Sequence, residues 1–315
     1  MELLLFKPIY KERIWGGQNL SKRLGRKVPA LKSIGESWEI VDRLEDQSLV
    51  ASGTYSGQSL NGLLKTHGEA ILGPKYIPEA PFPILVKWLD CKETLSIQVH
   101  PPKAIAKELG GQAKTENWYV LDSQGHAKIY LGLRQGVSHL ALKEALEEEK
   151  IEPLLNSYKT KNGDSYLIES GTIHSIGGGN LILEIQENSD TTYRVYDWKR
   201  LGLNGSPRKL HIKESLKSII INDKEIKSAR FSNEISTLAE CPLFRIKSYE
   251  LNAKSGPLLL EENVSARLIH VVDGNIYDSI SKYTLRIGDN ALLPFDTRAK
   301  LSAVKNAKVL ITDQF

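Results

Sequence analysis

Cysteine is scarce in this chain of 315 residues, which carries only Cys91 and Cys241. Two thiols exclude a tetrathiolate zinc site, and one disulfide would do little for a chain this long, so a reducing cytoplasm is the expected setting. Long apolar runs are missing too. Met1-Glu2-Leu3-Leu4-Leu5-Phe6-Lys7-Pro8 is too short for a secretory signal, and no stretch approaches the roughly 18 apolar residues of a membrane span, so no membrane partner is expected. Nor does one sign of charge prevail: Lys and Arg total 42 against 38 Asp and Glu, a net charge of +4. Lys199-Arg200 and Arg208-Lys209 come closest to a basic cluster. Nucleic-acid binding needs a denser stripe, so an anionic small molecule fits better than a polymer.

What is present is an ordinary globular composition, 25% charged and 41% hydrophobic, in a chain long enough for two domains. Strand-like runs recur at 84–86, 95–99, 118–121, 129–131, 165–168, 181–185 and 193–196, with Gly, Pro, Asn and Asp between them. Many short strands suggest a barrel or sandwich. Helical patterning is confined to about 57–70, 102–110 and 138–156, so the chain reads as mainly β with helices appended. One echo stands out. Gly163-Asp164-Ser165-Tyr166-Leu167-Ile168 recurs as Gly288-Asp289-Asn290-Ala291-Leu292-Leu293, a turn followed by an apolar strand, as a duplication would leave. Only the first copy runs on to a histidine, His174.

The chemistry concentrates in Leu95-Ser96-Ile97-Gln98-Val99-His100-Pro101, Lys114-Thr115-Glu116 and Gly171-Thr172-Ile173-His174. Alternation along a strand puts Gln98 and His100 on one face, and likewise Lys114 and Glu116. Burying so many polar groups is costly unless they are paired, hydrogen-bonded or bound to an ion. Glu184 and Gln186 alternate in the same way, and residues 188–191 read as the turn of a hairpin that returns Arg194 towards Glu184. Gly177-Gly178-Gly179 lacks the Lys and Ser or Thr of a phosphate-binding P-loop and reads as a tight turn.

These blocks, with Lys11-Glu12-Arg13-Ile14-Trp15-Gly16-Gly17, Gly35-Glu36-Ser37-Trp38-Glu39-Ile40, Leu85-Val86-Lys87-Trp88-Leu89-Asp90 and the run from Gln186 to Asp197, resemble the type I phosphomannose isomerases, most of all their compact bacterial members. The resemblance implies two cupin (jelly-roll) barrels with a helical portion: a catalytic metal-binding domain over 1–230 and a cupin-like domain without metal ligands over 231–315. It implies zinc-dependent interconversion of mannose 6-phosphate and fructose 6-phosphate. By position it makes Gln98, His100, Glu116 and His174 the ligands of one zinc ion and Arg194 the active-site arginine. Where the family usually has Pro then Asp after the histidine, this chain has Pro101-Pro102-Lys103.

The residue chemistry is compatible with that expectation. Two histidines and a carboxylate suit zinc with an open position, although the same set suits iron or manganese. Aldose–ketose isomerisation moves a proton between C1 and C2 through an enediol. Arg194 can stabilise the growing charge but carries protons poorly, which leaves Glu184 and Lys114 as acid–base candidates. Ser96 and Lys87 are candidate substrate contacts, and Arg194, Lys87, Lys199 and Arg208 are available for a phosphate. A sugar-binding cupin without turnover and an iron-dependent cupin oxygenase are the rival readings.

Overall fold

The computed structural model describes all residues except 30–31, 222–225, 231–233 and 255. It is mainly β, with short helices between the strands. The apolar runs become inner strands. Ile84–Cys91 is buried along its whole length and Asn180–Glu187 at all but its last residue, as expected of a short continuous apolar stretch covered on both faces.

The chain divides into two compact units, each assembled from separated stretches. One comprises Met1–Ile9, Trp38–Val86 and Ala229–Phe315; the other comprises Tyr10–Ser37 and Lys87–Ser228. Met1–Ile9 and Trp38–Val86 group with the C-terminal stretch that begins at Ala229. Strand pairing explains part of this: Leu4 and Leu5 lie opposite Leu292 and Ala291, so the first residues are committed to a sheet made near the other end of the chain.

The first unit holds a six-stranded sheet in the order Leu4–Leu5, Asn290–Leu293, Arg267–Asp273, Asn306–Asp313, Phe244–Asn252, Ile235–Cys241, and a four-stranded sheet, Leu258–Leu260, Ala299–Ala303, Asn275–Asp278, Thr284–Arg286. Their inward side chains, among them Ile269, Val271, Ile276, Leu301 and Val309, form one core. In the second unit a five-stranded sheet runs Tyr193–Tyr196, Ile97–Val99, His174–Ile176, Lys128–Leu133, Leu155–Lys159. Another six-stranded sheet runs Ile9–Gly17, Ile34–Ile40, Ile84–Cys91, Asn180–Glu187, Glu116–Ser123, Ser165–Ile168.

The Gly-Asp echo is a real structural repeat. Gly163 and Gly288 both have positive φ, 86° and 92°, which glycine adopts without strain. Asp164 accepts from the backbone N–H of Lys161, and Asp289 from that of Arg286, the same three-residue reach. Each turn then bonds an equivalent valine: Gly163 N–H to Val120 O, and Gly288 N–H to Val271 O. Continuing the match, Glu116 lies opposite Ile168 where Arg267 lies opposite Leu293. The second copy therefore has an arginine where the first has a candidate ligand.

The expected helix at 57–70 is Leu60–Leu72, begun by Ser59, whose hydroxyl accepts from Gly62 N–H. The one expected at 102–110 is a single helical turn, Lys103–Ala106, followed by turns. The one expected at 138–156 stops at Glu147, because Glu149 adopts φ 55° and Lys150 N–H bonds back to Ala145 O, closing the end. A short 3-10 turn, Glu152–Leu154, completes the stretch. Ile212–Ser218 is a further helix, absent from the sequence expectation.

Residues 188–191 do not close a hairpin. The strand before them, Asn180–Glu187, has neighbours on both sides, Ile84–Cys91 and Glu116–Ser123, so no edge is open to a returning strand. The chain crosses instead to the five-stranded sheet, where Arg194 lies opposite Gln98.

Candidate metal centre and active-site pocket

Strand register assembles the centre. In the five-stranded sheet His174 lies directly opposite Gln98, and Gln98 Nε2 is 3.2 Å from His174 Nε2. In the six-stranded sheet Glu116 lies opposite Gln186 and Trp118 opposite Glu184. Glu116 then meets both histidines of the other sheet: Oε2 is 3.4 Å from His100 Nε2 and Oε1 is 3.5 Å from His174 Nε2. The candidate ligand atoms of His100, Glu116 and His174 all lie within 4.8 Å of one another, and all three residues are buried.

The histidines are set for ligation. His100 Nδ1 lies 2.8 Å from Thr191 O and His174 Nδ1 2.8 Å from Thr172 O. A carbonyl only accepts, so each Nδ1 carries the proton and each Nε2 lone pair faces the centre, the usual outer support of a metal-binding imidazole. Burial, reinforced by the Lys114 charge, pushes His100 down to about 3, and burial lowers His174 as well. Both rings are therefore neutral near pH 7, as ligation requires. Burial alone would raise Glu116, but the Lys114 charge beside it holds it well below the usual carboxylate range. His100 Nε2 and both Glu116 oxygens are buried without a well-formed hydrogen bond. Two imidazole nitrogens and a carboxylate fit a zinc ion with an open position. Gln98 presents its amide nitrogen to His174; turned over, the same amide brings an oxygen to that place.

A pocket of about 550 Å³ opens beside the cluster. Six of the sequence candidates outside the buried triad that line it are Gln98, Ser96, Lys87, Lys114, Glu184 and Arg194. The buried lysines and Glu184 form one network. Lys114 Nζ is 2.9 Å from Glu116 Oε2 and 3.7 Å from Glu184 Oε1, and Lys87 Nζ is 3.6 Å from both Glu184 Oε1 and Asp190 Oδ1. Trp118 Nε1 donates to the other Glu184 oxygen at 3.1 Å. Burial would lower Lys114, yet Glu116 and Glu184 together hold its ammonium above the ordinary lysine range. Glu184 moves the other way, raised by burial against the pull of both lysines.

Other expectations separate. Lys199 is exposed and does not line the pocket; its ammonium lies 3.9 Å from Glu149. Arg208 lines the pocket, bound to Asp197. The glycine run is a tight turn: its N–H groups go to Lys128 O, Thr94 Oγ1 and Cys91 O, and a Cβ at Gly177 would come within 2.5 Å of Lys128 O. Trp15, Trp38 and Trp88 are core residues, Trp15 also reaching the pocket wall. Sequence reasoning missed Arg13, Glu36 and His211. Arg13 and Glu36 form a two-bond ion pair at 2.8 and 3.1 Å at the pocket, and their presence in two blocks of the family resemblance was the available signal.

The family model for the phosphomannose isomerase type I catalytic domain matches residues 3–131. Mannose-6-phosphate isomerase ManA of Bacillus subtilis is 36% identical over 303 residues, covering 93% of each chain. The mannose-6-phosphate isomerase of Streptococcus mutans is 34% identical over 300 residues, covering 93% of this chain and 92% of its own. Among solved structures, the Bacillus subtilis mannose 6-phosphate isomerase superposes with a TM-score of 0.88 at 33% identity, covering 99% of each chain. A zinc-bound mannose 6-phosphate isomerase shares the fold, with a TM-score of 0.78 at 17% identity. With likeness running through nearly the whole of each relative, this chain belongs to the type I phosphomannose isomerase family.

Proposed function

We propose that the protein interconverts mannose 6-phosphate and fructose 6-phosphate, using one zinc ion per chain held by His100, Glu116, His174 and Gln98. The observation that carries this reading is the buried two-histidine, one-carboxylate cluster beside a pocket lined by lysines, Glu184 and Arg194. Bound zinc supplies Lewis-acid polarisation of a sugar oxygen. Proton movement falls to the chain's own side chains. The substrate proton at C2 leaves to a base and returns at C1. Lys114 is held protonated between Glu116 and Glu184, so it donates a hydrogen bond to a sugar oxygen and does not abstract. Glu184 is the base: its raised pKa brings it nearer the range where a carboxyl both accepts and returns a proton. Trp118 Nε1 fixes one of its oxygens and leaves the other towards the lysines. Arg194, permanently charged, lowers the cost of negative charge on the enediol oxygens. Ser96 and Lys87 orient the sugar. The sheets that carry Gln98 and Glu116 are read as one cupin jelly roll and those that carry Ile269 and Leu301 as another, the repeated Gly-Asp turn marking equivalent corners.

The test is conversion of mannose 6-phosphate to fructose 6-phosphate by purified protein, before and after chelation and with zinc restored. Activity lost on chelation and regained with zinc is the expected result. A folded, zinc-loaded protein that binds the sugar phosphate without turnover would overturn the reading in favour of a binding protein.

A further inference from the structure

Gln186 is fully buried. It lies directly opposite Glu116 and two residues beyond Glu184, so the three side chains share one face of the sheet. Opposed residues on such a face start about 5 Å apart at Cβ, which makes Gln186 the cross-strand neighbour of a candidate ligand. An apolar side chain would fill that space without burying an amide. The amide commits both of its protons to one bend of the chain: Nε2 donates to Glu187 O at 2.7 Å and to Ser189 O at 2.6 Å. Two carbonyls facing one atom fix which end is nitrogen, since the turned-over amide would set oxygen against oxygen. Oε1 is buried without a partner, so those two bonds are made at the cost of an unsatisfied acceptor.

The bend leads to His100. Ser189 N–H donates to the same Glu187 carbonyl at 2.7 Å, and the Ser189 hydroxyl accepts Thr191 N–H at 3.2 Å. Thr191 O then lies 2.8 Å from His100 Nδ1. The same segment is tied to the stretch that leads into Glu116. Glu187 Oε2 accepts Thr115 N–H at 2.7 Å, Glu187 N–H donates to Thr115 O at 3.0 Å, and Thr191 Oγ1 accepts Gln112 N–H at 3.0 Å. A continuous run of hydrogen bonds therefore joins the Gln186 amide to one candidate ligand, while strand register places it opposite another.

We infer that Gln186 is a positioning residue of the metal centre: through Ser189 and Thr191 it aims His100, and from its place opposite Glu116 it keeps two candidate ligands of different sheets in one geometry. This rests on the zinc reading above. The role belongs to the two amide protons and not to charge or bulk. A glutamate of the same shape could not fill it, having at most one proton to donate and adding a negative charge opposite Glu116.

Zinc affinity, measured on the full chain by competition with a chromophoric chelator, separates this role from one in folding alone. Binding to Gln186→Met is expected to weaken about 10- to 100-fold, the usual effect of losing the outer support of a ligand. Gln186→Glu should weaken it too, whereas an added carboxylate acting by charge alone would tighten it. Cobalt-loaded Gln186→Met should give a visible spectrum displaced from that of cobalt-loaded wild type, because those bands follow coordination geometry. The rise in melting temperature on adding zinc should shrink in both variants. Ser189→Ala leaves both Gln186 bonds in place and removes the acceptor of Thr191 N–H; it should weaken zinc by a smaller factor, and less than additively with Gln186→Met. Unchanged zinc affinity in Gln186→Met, an unaltered cobalt spectrum, or equal losses of melting temperature with and without zinc would overturn the inference. Should Gln186→Met fail to fold, unchanged zinc affinity in Ser189→Ala overturns it. A wild type that binds no zinc overturns both readings, and one that binds zinc with this dependence yet fails to isomerise leaves the positioning role standing and removes the proposed reaction.

Discussion

At the residue scale, the candidate metal cluster carries a desolvation cost that an ion would relieve. Three buried acceptor atoms without a well-formed hydrogen bond, on His100 and Glu116, are the kind of debt that desolvation imposes and coordination relieves. Wild-type protein should therefore retain zinc through dialysis, and Glu116→Gln should lose it, read directly as zinc per chain. Glu184→Gln makes the opposite pair of statements. It should keep zinc at the wild-type ratio while kcat falls by about 10²- to 10⁴-fold, the range of a lost acid–base group. Zinc lost along with activity would assign Glu184 a structural role in the centre.

Three further residues, His270 and the two cysteines, report chiefly on burial. His270 is fully buried, its Nδ1 2.7 Å from Asn290 Oδ1 and its Nε2 3.0 Å from Thr312 Oγ1. Burial pushes it down to about 4, against about 6.5 in an unfolded chain. Between those values the unfolded chain binds the proton and the folded one does not, so stability is intact above pH 6.5 and falls as pH drops towards 4. The integrated loss is about 3 kcal/mol. Urea midpoints across that window should fall more steeply for wild type than for His270→Gln. The two thiols differ as well. Cys91 is fully buried and its thiol is raised by burial, whereas Cys241 is partly exposed. Native protein should take up one equivalent of a thiol reagent quickly and the second only on unfolding.

At the scale of elements, the site depends on two sheets holding their register. A one-residue slip of Asn180–Glu187 against Glu116–Ser123 would turn Glu184 away from Trp118 and Lys114, because side chains alternate faces. The crossing at 188–192 is built into this. Gln186 Nε2 donates to Ser189 O at 2.6 Å and to Glu187 O at 2.7 Å, and Thr191 O receives His100 Nδ1, so the same segment that redirects the chain also orients a candidate ligand. Helices away from the pocket should behave independently. Ser59→Ala removes the cap of Leu60–Leu72 and should cost about 1 kcal/mol in denaturant unfolding, with KM and kcat unchanged.

For the whole molecule, a metal bound only by the folded state stabilises it by mass action, about 4 kcal/mol at a thousandfold excess over Kd. Added zinc should raise the melting temperature of wild type, and the rise should vanish in His174→Ala. No helix among the described residues is long and apolar enough to cross a membrane, in keeping with the absence of long apolar runs in the sequence.

Much of this was written in the sequence. Short apolar runs between turn residues located seven strands, most of them to within two residues, but not Ile9–Gly17, Ile34–Ile40 or Leu155–Lys159, and the blocks around Gln98, His100, Glu116, His174 and Arg194 led to the family. Ligand chemistry is carried by residue types in ordered segments, which a linear reading retains. Partners distant along the chain were beyond it. The pairing of Leu4–Leu5 with Asn290–Leu293, the route of the chain to the second sheet after Glu187, and the gathering of Arg208, His211 and Asp197 around Arg194 depend on which strand edges are already occupied and which charges are brought together by burial. Those are outcomes of packing the whole chain at once, and no local pattern encodes them.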